Sequence, residues 1–334
     1  MTLDDEPRGG SPPAISPDHP APPGPMRVGT ILETALQALR SRWRTVLLLA
    51  LAFAGPAALF TSAAGIRFNE VVLDVFPGIS EGIIDDTPML TAAQLERLGG
   101  AFLGFLLATL VAGLLGSVGA VSFTYAVLSQ GQPWGQALGA ALRVALRRTP
   151  SVMAFMLVTS AVIVALLLAG ALAMTSAVTL LSSGPIARGG PGVFVALVVG
   201  VTVVVGLAYL TMRWAPAYPV MAMEGAGWRV ALRRSWQLSA GNIWRIAAVV
   251  ILGALLTALG AAVITQLLSI VIVDLLAGAA GIDTMVAESV VIAAVTVLLA
   301  PVSPALLAVL YLDLRARHAP ATVGHKPGDW PAEG

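Results

Sequence analysis

Residues 192–212 read GVFVALVVGVTVVVGLAYLTM, a run without one charged side chain, and Arg213-Trp214-Ala215-Pro216-Ala217-Tyr218-Pro219 follows at once. A helix needs about 20 consecutive apolar residues to cross the roughly 30 Å hydrocarbon core of a bilayer. In water such a helix would have no polar face. In lipid, helices satisfy their own backbone groups and can span. Five further runs meet the same requirement: Thr45–Ile66, Leu98–Leu128, Val152–Leu181, Ile246–Leu276 and Ser289–Leu312. The expected fold is therefore all-α, a polytopic membrane protein with six transmembrane helices. Composition agrees: 57% of residues are hydrophobic and 11% charged, where a soluble domain carries about 25% charged residues.

The basic residues sort by loop. Arg8, Arg27, Arg40, Arg42 and Arg44 precede the first span. Arg143, Arg147 and Arg148 follow the second. Arg213, Arg229, Arg233, Arg234 and Arg245 follow the fourth, and Arg315, Arg317 and Lys326 follow the sixth. Only Arg67, Arg97 and Arg188 fall in the alternate gaps. Lys and Arg accumulate on the cytoplasmic side of membrane proteins. The expected placement is the plasma (inner) membrane, multi-pass, with both termini cytoplasmic, as an even number of spans requires. The net charge of +1 hides this segregation and gives no sign of nucleic-acid binding.

Residues 1–26 hold eight prolines and no apolar periodicity, so a disordered tail is expected. A six-helix membrane domain should cover 27–317 and a second polar tail 318–334. Thr91 with Gln94 reads as a capping box before span two. Thr149-Pro150 reads as an N-cap followed by proline at the first helical position of span three. Gly241-Asn242 reads as one helix stop and the next cap. Beyond span one, Phe68, Val71, Val72, Val75 and Phe76 share one helical face. That pattern suits a short helix lying flat on the outer surface or packed on the bundle.

One unit occurs three times on the arginine-rich side: an amphipathic stretch, an arginine cluster, then two spans. The first stretch carries Val28, Ile31, Leu32, Ala35, Leu36 and Leu39 before Arg40, Arg42 and Arg44. The second carries Trp134, Leu138, Ala141, Leu142, Ala145 and Leu146 before Arg147-Arg148. The third runs from Trp228 to Trp236 with Arg233-Arg234. These are expected to be interfacial elbow helices. Their apolar faces would enter the acyl boundary, their arginines would meet anionic phosphates and their tryptophans would anchor at headgroup depth.

Chemistry-bearing residues are few. There is no cysteine, and His19, His318 and His325 all lie in the polar tails. Thiolate and imidazole metal sites within the membrane are thereby excluded, and neither cofactor nor metal is expected. Asp274 sits at the outer end of span five as a boundary residue, and Glu224 is expected to pair with an arginine of its loop. Pro56, Pro301 and Pro304 interrupt spans. The last two free the carbonyls of Val297 and Ala300, which could kink a packed helix or line a transport path. Gly100 with Gly104, and Ala254, Ala258 and Ala262, form small-residue stripes suited to close helix contact or a dimer seam.

The segment Arg213-Trp214-Ala215-Pro216-Ala217-Tyr218-Pro219 continues through Glu224-Gly225, Ala231-Leu232-Arg233-Arg234-Ser235-Trp236-Gln237-Leu238 and Trp244-Arg245. The last span closes on Leu310-Tyr311-Leu312-Asp313-Leu314-Arg315. Together these resemble the membrane domain fused to some bacterial glycerophosphodiester phosphodiesterases, and related uncharacterised six-helix membrane proteins, best over residues 210–317. In those fused enzymes catalysis belongs to a separate barrel with a His-Arg-Gly motif and metal-binding carboxylates. This sequence contains no His-Arg-Gly, so phosphodiesterase activity is not expected of it.

The residues expected to contact lipid or a partner are Arg213, Glu224, Arg233, Arg234, Trp236, Arg245, Asp313 and Arg315. The leading expectation is a non-enzymatic membrane module that engages anionic lipid, a partner protein or a second copy of the chain. A transporter component for a lipid-like or amphipathic substrate is the alternative. An enzyme acting on lipid would have only Glu224, Asp313 and Asp274 to serve as acid or base.

Overall fold

A computed structural model describes residues 26–76, 91–129, 132–182, 191–273, 275 and 283–318. The expected Asp274 and Arg188, the acids Glu81, Asp85 and Asp86, and both tails apart from Met26 and His318 lie outside the described residues. The elements are α1 (Val28–Ser41), α2 (Trp43–Val75), α3 (Ala92–Leu128), α4 (Trp134–Ser182) and α5 (Pro191–Trp214). They continue as α6 (Ala217–Met223), α7 (Trp228–Ser239), α8 (Ile243–Leu268), α9 (Thr284–Leu299) and α10 (Val302–His318). Among the described residues six stretches are long and apolar enough to cross a membrane: α2, α3, α4, α5 with α6, α8, and α9 with α10. The protein is an all-helical, multi-pass membrane protein.

The spanning helices form a ring. α2 packs on α3, α3 on α4 and α4 on α5, while α9 packs on both α2 and α8. α5 and α8 touch only slightly. The packed core is not at the middle of the ring but at its arginine-rich end. There Ile31, Leu49, Val127, Val152, Met221, Leu238, Ile246, Leu310, Tyr311 and Leu314 are buried together. Toward the other end Leu59, Leu103, Leu172, Phe194 and Leu267 are exposed. In lipid such surface carries no penalty, because acyl chains are as apolar as leucine.

The break in span six explains this arrangement. Proline removes a backbone donor and clashes with the preceding turn. The helix accordingly stops at Leu299 and restarts at Val302, its ladder resuming where Ala305 N–H donates to the Pro301 carbonyl (3.1 Å). α9 lies in the ring between α2 and α8, whereas α10 contacts α1, α3, α6, α7 and α8. The kink moves the second half of span six from the rim to the centre of the arginine-rich end. Pro56, by contrast, sits inside an uninterrupted α2.

Several boundaries follow the sequence. Thr91 Oγ1 accepts from the Gln94 amide and Gln94 Oε1 accepts from the Thr91 amide, completing the capping box. α7 ends at Ser239, and Gly241 turns the chain with φ +76, a conformation that favours glycine. Asn242 then precedes α8, although its side chain donates back to the Ala240 carbonyl instead of capping.

Other expectations need correction. Thr149-Pro150 does not start a helix: α4 is one helix of 49 residues through Pro150, about 74 Å at 1.5 Å per residue. Thr149 Oγ1 donates to the Ala145 carbonyl. Ala137, Ala141 and Ala145 before the proline and Val152, Phe155 and Thr159 after it are buried on one face. That shared burial holds the two halves in line against the cost of the proline. The second unit therefore has no separate elbow. The segment after Ile66 is not a separate flat helix either. α2 runs on to Val75 because nothing there breaks it, and Phe68 packs on Phe105 (5.6 Å) and Phe102 (6.1 Å) of α3.

α1 and α7 are separate helices, but their small-residue faces enter protein, not lipid. Ile31, Ala35 and Ala38 of α1 and Ala231, Ser235, Leu238 and Ser239 of α7 are buried. Within the chain the small-residue stripes make no close helix contact: a Cβ at Gly100 or Gly104 would meet nothing within 4 Å, and Ala254, Ala258 and Ala262 are not buried, so both stripes stay on the surface, as a dimer seam would require. Gly253 takes that role, with Leu306 packed where a Cβ would sit.

The seating of α7 gives a direct test. Ala231→Leu inserts bulk into a closed contact and should cost about 1–3 kcal/mol, read as a lower midpoint for denaturation in detergent. Val230→Leu, at an exposed position, should leave the midpoint unchanged. Equal, silent behaviour of both variants would mean that α7 rests on lipid.

Candidate functional site

The polar groups at the arginine-rich end are built on α10. Residues four apart on a helix share a face, so Asp313 and Arg317 lie one above the other, and Arg317 Nε donates to Asp313 Oδ2 at 3.0 Å. Arg245, in the first turn of α8, brings its Nε within 2.7 Å of the same oxygen. This contact is an ion pair, not an aligned hydrogen bond, and Arg245 Nη2 is buried without a hydrogen-bond partner among the described residues. The other carboxylate oxygen, Oδ1, accepts from the Met26 amide at 2.7 Å. Asp313 is 0% exposed. One buried carboxylate thus ties the chain entering α1, the start of α8 and the end of α10.

Tyr311 is two residues earlier on α10 and so faces another way. Its hydroxyl donates to Glu224 Oε1 at 2.8 Å, and Arg234 Nε lies 3.7 Å from the same oxygen. Glu224 follows the short helix α6, whose Ala217, Pro219, Val220, Met221 and Ala222 are buried. The run around Pro216 is therefore a buried turn of helix, not a surface loop. Tyr218 meets Phe155 edge-on (5.3 Å), and its hydroxyl lies 3.2 Å from that of Ser117. Gly225 turns the chain with φ +65, and the Arg148 guanidinium lies directly against it, where any Cβ would collide.

The third cluster joins the end of α5 to α7. Arg213, at the end of α5, stacks on Tyr209 (5.2 Å) and Trp236 (5.0 Å). It donates to the Tyr209 hydroxyl, the Trp236 carbonyl and Ser239 Oγ. Ser235 Oγ donates in return to the Arg213 carbonyl. α7 is thereby bound to α5, and the turn at Gly241 leads on to α8.

Of the residues expected to contact lipid or a partner, six are brought into these clusters: Arg213 with Trp236, Glu224 with Arg234, and Arg245 with Asp313. Arg233 and Arg315 are exposed and make no ion pair among the described residues. Sequence reading missed Arg317, Tyr209 and Ser239 as participants, although each stands four residues from a partner or from a second member of its cluster. The Met26 amide and Arg148 carried no such signal, because they reach the site through tertiary placement alone. Among the described residues no three of His, Cys, Asp and Glu gather to hold a metal ion.

The family whose description is membrane domain of glycerophosphoryl diester phosphodiesterase matches residues 193–321. That stretch runs from the start of α5 past the end of α10 and contains all eight expected site residues. It is the membrane part of the family's description that the six spanning helices bear out. No curated protein and no protein of solved structure matches the chain.

Removing one partner of a buried ion pair leaves the other charge uncompensated, typically at about 3–5 kcal/mol. Asp313→Asn should therefore lower the denaturation midpoint strongly, and Arg317→Gln, whose side chain is 28% exposed, should do so less. Unaltered stability of Asp313→Asn would remove Asp313 from this role.

Proposed function

We propose that the protein is a non-enzymatic module of the plasma (inner) membrane, with its arginine-rich end and both termini in the cytoplasm, and that this end holds anionic lipid. The fate of the charges there carries the reading. Asp313 and Glu224 are taken up by Arg245, Arg317, Arg234 and Tyr311. Arg27, Arg40, Arg143, Arg147, Arg233 and Arg315 stay exposed, with no ion pair among the described residues. Glu33, exposed on α1, is the only other described acid at this end. Free guanidinium groups over a bilayer attract anionic headgroups at roughly 1 kcal/mol each. Exposed tryptophans beside them, including Trp244 at 87%, suit the headgroup layer. The engagement of both acids by cations or a hydroxyl also speaks against either serving as a free general base.

Purified protein offered a mixture of phosphatidylcholine and phosphatidylglycerol should retain phosphatidylglycerol preferentially, and less so as salt rises. Lipid bound in the ratio supplied would refute the proposal.

The slight contact between α5 and α8 supports a second reading, a transporter component for a lipid-like substrate that would enter through that seam. The absence of native cysteine lets one labelling series decide. With a membrane-impermeant maleimide on intact cells, Thr284→Cys should label and Gln237→Cys should not, which fixes the orientation. Single cysteines along α8 and α10 should label only at their ends. A labelled stripe through mid-membrane would favour transport instead.

A further inference from the structure

A groove of about 810 Å³ lies where α1 meets α2 beside the start of α4. Its walls include Gln37 of α1, then Arg42, Trp43, Arg44 and Thr45 at the junction, and Trp134 of α4. Thr45 Oγ1 donates to the Trp134 carbonyl at 3.4 Å and so fixes one wall against the other. The groove lies at the N-terminus of α2, whose first-turn N–H groups lack intrahelical acceptors and favour an anion. Among the described residues no acidic side chain lines it, and neither Arg42 nor Arg44 is drawn into an ion pair. Arg44 is stacked over Trp43 at 5.4 Å. Trp43 and Trp134 are 57% and 56% exposed at its rim.

The surface on the membrane side of this groove is apolar. Trp43, Leu47 and Leu51 form one row along α2 at four-residue spacing, and all three are exposed. A cationic recess continued by a greasy track matches an amphiphile, not a soluble anion. We infer that the groove holds the phosphate of an anionic phospholipid between Arg42 and Arg44, with one acyl chain lying along Trp43, Leu47 and Leu51. This rests on the lipid-binding reading above and gives it a place, away from the segment that matches the family.

Native mass spectrometry of the full chain, titrated with phosphatidylglycerol, tests it. Arg42→Gln with Arg44→Gln should weaken the tightest-bound lipid by about 30-fold, the loss of two cations from an anionic surface. Arg67→Gln with Arg97→Gln, at the other end of the bundle, should leave that lipid in place. A photo-crosslinking residue introduced at Gln37 should capture phosphatidylglycerol over phosphatidylcholine, a readout that keeps both arginines. Wild-type chain without anionic preference would bring down the lipid-binding reading itself. Preference retained by Arg42→Gln with Arg44→Gln, or equal capture of both lipids at Gln37, would overturn this site alone. Displacement of the lipid by inorganic phosphate at equal concentration would show a site for soluble anions and overturn the assignment too.

Discussion

A carboxylate with no exposure to solvent, held by two guanidinium groups and one backbone amide, organises this molecule. Burying a charge costs several kcal/mol unless it is paired and hydrogen-bonded. Asp313 meets that condition only when α8, α10 and the chain before α1 arrive together. No two of these elements are adjacent in sequence. In a membrane the hydrophobic effect does not drive helices against each other, so polar contacts at the bundle's end specify which helices meet. The buried core at the arginine-rich end is the consequence, and the splayed, lipid-exposed far halves are its complement.

The proline break in span six is what delivers Asp313. A straight helix continuing α9 would stay in the ring, between α2 and α8, and its last turns would face lipid or headgroups. The stop at Leu299 and restart at Val302 turn α10 inward, where Leu310, Tyr311 and Leu314 are buried and Asp313 meets its partners. The same turn sets Tyr311 toward Glu224 and so ties α6 and α7 to the centre. Gly253 lets α8 approach this kinked span closely, with the end of the Leu306 side chain in the space a Cβ would occupy.

The class of fold was legible because hydropathy in lipid is a one-dimensional property: each run of about 20 apolar residues must span, whatever its neighbours do. Local capping was legible at Thr91, where donor and acceptor lie three residues apart. Pro150 misled because a proline signals a helix start or a kink equally well, and only the alanine and aromatic face on both sides of it settles the matter. Gly100, Gly104 and the alanine row of α8 make no close contact within the chain for a related reason. Small residues permit close approach but do not compel it, and which helix comes near is decided elsewhere. At the site, the pairing of Glu224 with an arginine followed from its being the sole acid in a basic loop. The pairing of Asp313 with Arg245, 68 positions away, followed from nothing local.

The same logic bears on the two functional readings. A broken helix is a familiar way to line a transport path, and Pro301 with Pro304 invite that interpretation. Here the break already has a structural task, since without it the buried charge network could not assemble. What remains for the transport reading is the thin contact between α5 and α8, beside which Arg213 binds α5 to Trp236 and Ser239 of α7 at the arginine-rich end. The exposed arginines have no comparable internal task. Charged side chains without an ion pair among the described residues, beside exposed tryptophans at one end of a spanning bundle, are free for groups outside the protein, and the lipid-binding proposal assigns them the phosphate layer.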